Sequence, residues 1–189
     1  VSFTIFIIQT VFSLLTMLLL LRAWMQFARV DFYNPLSQFV VRFTQPVIAP
    51  LRRIIPSIGP IDTASVFLAY VMIILKLVLL TLVIEPTLVL SPTYLLIALV
   101  MLIKAIGKMI FWALIMLAIM SWISRGSSPI EFALAQLTDP ILKPIRRILP
   151  DTGPLDFSVM AAMFILLALN YLGTDITTSI GMASYWVGG

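Results

Sequence analysis

Residues Pro46–Asp62 read PVIAPLRRIIPSIGPID, and residues Pro140–Asp156 read PILKPIRRILPDTGPLD. The two copies lie 94 residues apart and align without a gap. Pro46, Pro50, Arg52, Arg53, Ile54, Pro56, Gly59, Pro60 and Asp62 recur as Pro140, Pro144, Arg146, Arg147, Ile148, Pro150, Gly153, Pro154 and Asp156. Most other positions exchange one apolar residue for another. A fixed internal period of this kind marks a duplicated structural unit. Within the first copy Val47, Ile48, Leu51, Ile54 and Ile55 keep helical spacing, with Arg52 and Arg53 on the other side. A short, basic, amphipathic segment lies in the headgroup plane instead of crossing it. Pro56 stops the segment, and Gly59-Pro60 turns the chain. Asp62 then stands where a carboxylate caps the next helix, and Asp156 stands there in the second copy.

The surroundings of these stretches are apolar. Of 189 residues, 61% are hydrophobic and 11% charged, and mean hydropathy is +1.12. A soluble domain needs roughly a quarter of its residues charged, so the composition predicts an integral membrane protein. Apolar runs predict four spans, at about 3–21, 63–84, 94–122 and 157–172. About 20 helical residues cross a ~30 Å hydrocarbon core. The first run has no basic segment before it and no small-residue cleavage site after it, and reads as a retained helix. Arg22 and Trp24 follow it as interfacial anchors. Between spans, amphipathic hairpins are expected at about 35–56 and 129–150. Asn34 and Pro35 have the chemistry of an N-cap and first helical residue. Leu36, Phe39, Val40 and Phe43 share one face there, as do Ile130, Ala133, Leu134 and Leu137 in the second. Pro46 is expected to end that helix or start the next.

The expected fold is therefore all-α: four transmembrane helices as two parallel tandem repeats, 1–90 and 91–189, each helix–amphipathic interfacial hairpin–helix. Two crossings per repeat put both hairpins on one side. Arg22, Arg29, Arg42, Arg52, Arg53, Arg125, Lys143, Arg146 and Arg147 all fall on that side, and the opposite loops hold no Lys or Arg. The positive-inside rule then makes the hairpins cytoplasmic and both termini external.

Three lysines lie inside the predicted spans. Lys76 is about eight residues and Lys104 about ten from the outer helix ends, and Lys108 shares a helical face with Lys104. Asn170 takes the place of Lys76 in the second repeat. A charge at mid-bilayer costs roughly 2.5–3.5 kcal/mol on insertion scales. Either these residues form a buried polar site for an anion, a lipid phosphate or a partner's carboxylate, or their long stems snorkel and pair locally. Arg52, Arg53, Arg146 and Arg147 are expected to meet anionic lipid, gaining ~1 kcal/mol each near the surface, or to dock a partner. Asp62 and Asp156 are expected as structural caps.

Several chemistries are removed by composition. The chain has no His and no Cys, so the commonest general base, the commonest metal ligand and the thiol nucleophile are missing. Ser121 and Ser158 have no His to activate them. No filter of the TVGYG kind is present, and three lysines along a path would repel cations. No basic–aromatic block outside the spans suggests nucleic-acid binding. The reading is a non-enzymatic protein without catalytic, metal or cofactor residues.

The doubled motif P-x-x-x-P-[LI]-R-R-I-[IL]-P-x-x-G-P-[LI]-D, with DFYNPLSQFVVRFTQP at 31–46 and AIMSWISRGSSPIEF at 118–132, resembles the YggT family of bacterial inner-membrane proteins, its gammaproteobacterial members above all. The resemblance covers nearly the whole chain. It implies a multi-pass protein of the bacterial inner membrane. Members of that family have been associated with osmotic-stress tolerance and potassium uptake. Chloroplast relatives assist covalent haem attachment in the cytochrome b6f complex, and other bacterial relatives are encoded near cell-division genes. Two functions follow as expectations. One is a scaffold or assembly factor that binds anionic lipid and a membrane-protein partner or a second copy. The other is an oligomeric channel or transporter component affecting potassium or osmolyte balance.

Overall fold

The computed structural model describes residues 2–84, 92–124, 127–148 and 157–180. Six helices follow one another: α1 (Ser2–Phe27), α2 (Pro35–Leu51), α3 (Thr63–Ile84), α4 (Thr93–Ser124), α5 (Pro129–Ile148) and α6 (Phe157–Ser179). Four of them, α1, α3, α4 and α6, are long and apolar enough to cross a membrane. α1 packs most extensively on α3, and α4 joins the molecule together by touching α1, α3, α5 and α6. The largest core forms where these meet, around Leu20, Ile73, Leu77, Ala98, Ile110 and Leu114. Small residues permit the close approach, since Ala64, Ala69 and Ala98 are fully buried.

Two helices run past their expected ends, and each has a local reason. α1 continues from Leu21 to Phe27. Arg22 reads as an exit from the bilayer only if its charge faces water. Here it is buried and paired with Asp62, so the helix goes on. α6 continues through Gly173-Thr174-Asp175 to Ser179. The hydroxyls of Thr174, Thr177, Thr178 and Ser179 bond back to carbonyls three or four residues earlier. That satisfies the hydroxyls within the helix, so a polar segment stays helical.

α2 starts as its sequence dictates. Asn34 is the N-cap, its side chain accepts from the Leu36 amide at 3.0 Å, and Pro35 opens the first turn. Pro46 does not break it, because Pro46 and Pro50 both lie inside one continuous helix, as Pro140 and Pro144 do in α5. A proline leaves the carbonyl four residues earlier unpaired. The carbonyls released in α2 belong to Arg42 and Pro46, both exposed, where water or headgroups can meet them.

The buried stripe of α2 also differs from the apolar face expected for it. Ser37, Val40, Thr44 and Ile48 point inward, while Phe39 and Phe43 lie outside, their rings 4.6 Å apart. The inner side takes small and hydroxyl-bearing residues because it closes over polar groups of α1. In α5, Ala133, Leu134, Leu137, Thr138 and Leu142 are buried and Ile130 is exposed.

Beyond α2, Ile58 and Ile61 exchange backbone hydrogen bonds around Gly59, which sits at φ 58°. Glycine, with no Cβ, takes that left-handed conformation at no steric cost. The corresponding turn at Gly153-Pro154, the cap residue Asp156, Pro150 at the end of the second hairpin, the 85–91 turn with Glu85, and Tyr185 and Trp186 lie outside the described residues.

α2 and α5 are tied together and to α1. The Trp24 indole N–H donates to the Leu137 carbonyl at 2.8 Å. The Asp31 amide donates to Gln136 Oε1 at 3.1 Å, and the Asn34 side-chain amide donates to the Pro129 carbonyl. Trp24 is thus half-buried and clamps α1 to α5.

Candidate functional site

Lys104 and Lys108 are one turn apart on α4, and Lys76 comes from the facing turn of α3. All three line one cavity of about 180 Å³, closed on the α1 side by Ser13, Leu14 and Thr16. Lys76 Nζ donates to Ser13 Oγ at 2.9 Å. Lys104 Nζ donates to Thr174 Oγ1 at 2.8 Å on the α6 side. Gly173 makes that reach possible, because a Cβ there would stand 2.9 Å from Lys104 Cγ. Lys108 is exposed near the middle of α4 and has no ion pair among the described residues. Thr16 Oγ1, on the cavity wall, is buried with no hydrogen-bond partner among the described residues. A buried hydroxyl left unpaired is uncommon and asks for a ligand or water. Among the described residues no acidic side chain lines the cavity. Asn170, expected beside Lys76 from the repeat, is exposed on α6 and does not line it.

A second charged cluster lies toward the other end of α1. Asp62, fully buried, immediately precedes α3 and accepts from the Ser65 amide at 3.4 Å and from Ser65 Oγ at 2.7 Å. The same carboxylate accepts from Arg22 Nε at 3.2 Å and from an Arg52 terminal nitrogen at 2.6 Å. Arg22, 6% exposed, also donates to Thr44 Oγ1 and Gln45 Oε1 of α2, each at 2.7 Å. Arg52 further donates to Gln26 Oε1 at 3.0 Å. Asp62 is thus more than a cap, and joins α1, the end of α2 and the start of α3.

Burial by itself would raise the Asp62 pKa. The hydrogen bonds from Arg52 and Ser65 and the Arg52 charge outweigh it and hold the carboxyl below its ordinary 3.8. A carboxyl depressed on folding contributes stability above its unfolded pKa and loses it as pH falls through the folded value. Thermal stability in detergent should therefore hold from neutral pH to about pH 4 and fall below it. Asp62→Asn should remove this acid limb, and a variant that keeps the same limb would show that another carboxyl is responsible.

The doubled Arg pair is split between inward and exposed in the first copy, while in the second both are exposed and Arg146 reaches Ser158. Arg52 turns inward to Asp62, and Arg53 stays exposed beyond the end of α2. Arg146 Nε donates to Ser158 Oγ at 3.3 Å, and Arg147 is exposed in the last turn of α5. Sequence reasoning missed Arg22 and Thr16 as site residues. Arg22 carried a signal, being a charge at the end of an apolar run, but its partners are 22 and 40 residues away.

Residues 1–83 and 96–176 match the CCB3/YggT family profile. The chain belongs to the CCB3/YggT family. It is similar to YggT of Escherichia coli K12, 49% identical over 176 residues that cover 93% of this chain and 92% of that protein. A Vibrio alginolyticus protein from the proC 3' region is 52% identical over 172 residues, 90% of this chain and 93% of its own. Protein PA0392 of Pseudomonas aeruginosa is 41% identical over 173 residues, 89% and 86% of the two chains. These CCB3/YggT relatives are all named as uncharacterized. No solved structure matches the chain.

Proposed function

We propose that this CCB3/YggT protein is a non-enzymatic binding and assembly factor of the bacterial cytoplasmic membrane, and that its lysine-lined cavity holds an anionic group of a membrane partner. The observation that carries the reading is the convergence of Lys76, Lys104 and Lys108 on one cavity whose wall also bears the unpaired Thr16 hydroxyl. Each mid-membrane lysine costs roughly 2.5–3.5 kcal/mol to insert, and among the described residues no carboxylate lines the space beside Lys76 and Lys108. A partner helix bearing Asp or Glu, or a second copy offering a carboxylate, would supply a counter-charge to them. The cavity is mid-span, too deep for a lipid headgroup. The order long, short, long helix occurs twice, which supports reading α1–α3 and α4–α6 as parallel repeats. Their basic side, with α2 and α5, then faces the cytoplasm and anionic lipid, and both termini face out.

Gentle detergent extraction of the native membrane tests this. The wild-type chain should migrate in an assembly well above its own 21.1 kDa. Lys76→Met with Lys108→Met should release it as a free chain. Potassium flux through liposomes carrying the purified protein alone would overturn the reading in favour of a channel, since a cavity lined by three lysines is expected to repel the ion.

A further inference from the structure

Arg22 and Arg52, both paired with Asp62, line a second cavity of about 510 Å³ between the end of α1 and α2. Its polar lining comes from Arg22, Arg29, Arg52, Gln26, Gln45 and Ser37. Small-molecule sites span roughly 300–1,000 Å³, so the space suits a compact ligand. Three guanidinium groups against the one carboxylate of Asp62 leave an excess of two positive charges. The other nearby carboxylate, Asp31, does not line the cavity and accepts from the Tyr33 amide at 3.0 Å.

Arg29 is the informative member. Arg22 and Arg52 spend their donors on Asp62, Thr44, Gln45 and Gln26. Arg29 has no side-chain partner among the described residues. Its backbone sits at φ 54° just past the end of α1, fixed by Arg29 N to Gln26 O at 3.2 Å and Val30 N to Met25 O at 3.0 Å. That left-handed position after a helix normally belongs to Gly or Asn. A long, charged side chain held there against backbone preference points to a use for the side chain. Phe32, 60% exposed, forms an apolar rim at the mouth. A planar guanidinium with free donors, an excess positive charge behind it and an apolar rim match the anionic phosphate of a phosphodiester next to hydrocarbon.

We propose that this cavity is a phosphate-binding site, filled by the headgroup of an anionic phospholipid, with Arg29 as its principal donor. It is independent of the lysine-lined cavity. The two share no lining residue, and along α1 their nearest ones are Met17 and Arg22, five residues or roughly 8 Å apart at 1.5 Å per residue.

The test uses the full chain, purified and delipidated, titrated in one arm with phosphatidylglycerol in zwitterionic bicelles and in another with inorganic phosphate alone. Retention is read by native mass spectrometry and by the shift in melting temperature. Phosphatidylglycerol is expected to bind, with Arg29→Gln weakening it at least tenfold. Val41→Trp, which keeps every charge and fills the cavity, should weaken it equally. Arg53→Gln, outside the cavity, should cost only the few-fold loss of one surface charge, and Lys76→Met, in the other one, should leave it unchanged. The same pattern with inorganic phosphate would uphold the phosphate site and assign it to the free anion instead of lipid. Equal weakening by Arg29→Gln and Arg53→Gln would reduce the effect to general surface charge and overturn the site. So would wild-type binding by Val41→Trp. Loss of native assembly in Lys76→Met with retained phosphatidylglycerol binding would separate this site from the proposed partner site.

Discussion

Asp62→Asn is expected to destabilise the protein by about 3–5 kcal/mol, the range for removing one partner of a buried ion pair. The size follows from what remains. Arg22 is 6% exposed and sits among α1, α2 and α3 with Thr44 and Gln45 as neutral acceptors. Without the Asp62 carboxylate its charge has no counter-ion, and Arg52 adds a second positive charge beside it. Asparagine keeps the shape and can still accept from Ser65, so most of the loss belongs to the charge and little to the cap. A cap alone is worth ~1 kcal/mol. Replacing the cluster by apolar groups, with Arg22→Met, Arg52→Met and Asp62→Leu together, should recover much of the loss, since a fully removed buried pair is often neutral. Reversible unfolding in mixed micelles measures both. A loss near 1 kcal/mol for Asp62→Asn would mean that water reaches the cluster and that the pair counts only as a cap.

Lys108→Met is expected to have two opposite effects. Lys108 lies fifteen residues from Thr93 and sixteen from Ser124, near the centre of α4. Removing its charge should make α4 insert more favourably by roughly 2.5–3.5 kcal/mol, read with a glycosylation reporter of membrane insertion. The same change should weaken the assembly that the lysine-lined cavity is proposed to hold. Lys76→Met should gain less on insertion, because Lys76 is already hydrogen-bonded to Ser13 and that bond is lost. A residue retained at a cost to insertion has a compensating use. Better insertion with an unchanged assembly would return Lys108 to a snorkelling side chain.

Much of the helical framework was legible before any coordinates. Apolar runs of the right length located α1, α3, α4 and α6, because membrane spans are set by length and local hydrophobicity. The start of α2 was equally local, since Asn34 and Pro35 do their work within one turn. The helix end was not legible: α1 continues past Arg22 to Phe27, and Arg22 is buried within it against partners far away in sequence. Periodicity placed Phe39 and Phe43 on one apolar face of α2, and they lie outside the bundle; that Ser37 and Thr44 form the inner surface, against the polar groups of α1, depends on packing between helices.

The doubled stretch shows where that boundary falls. Its Pro, Gly and apolar spacing determined, from sequence alone, an amphipathic segment, a stop and a glycine turn, all of which depend on residues within a few positions. Which arginine of the first Arg-Arg pair turns inward was decided only by tertiary structure. In the first copy Asp62, Arg22 and Gln26 come from other elements and converge on Arg52 alone. Arg53, one residue on, rotates away to the surface. The gathering of Lys76, Lys104 and Lys108 around Thr16 was decided the same way, because side chains from three helices meet only when those helices pack.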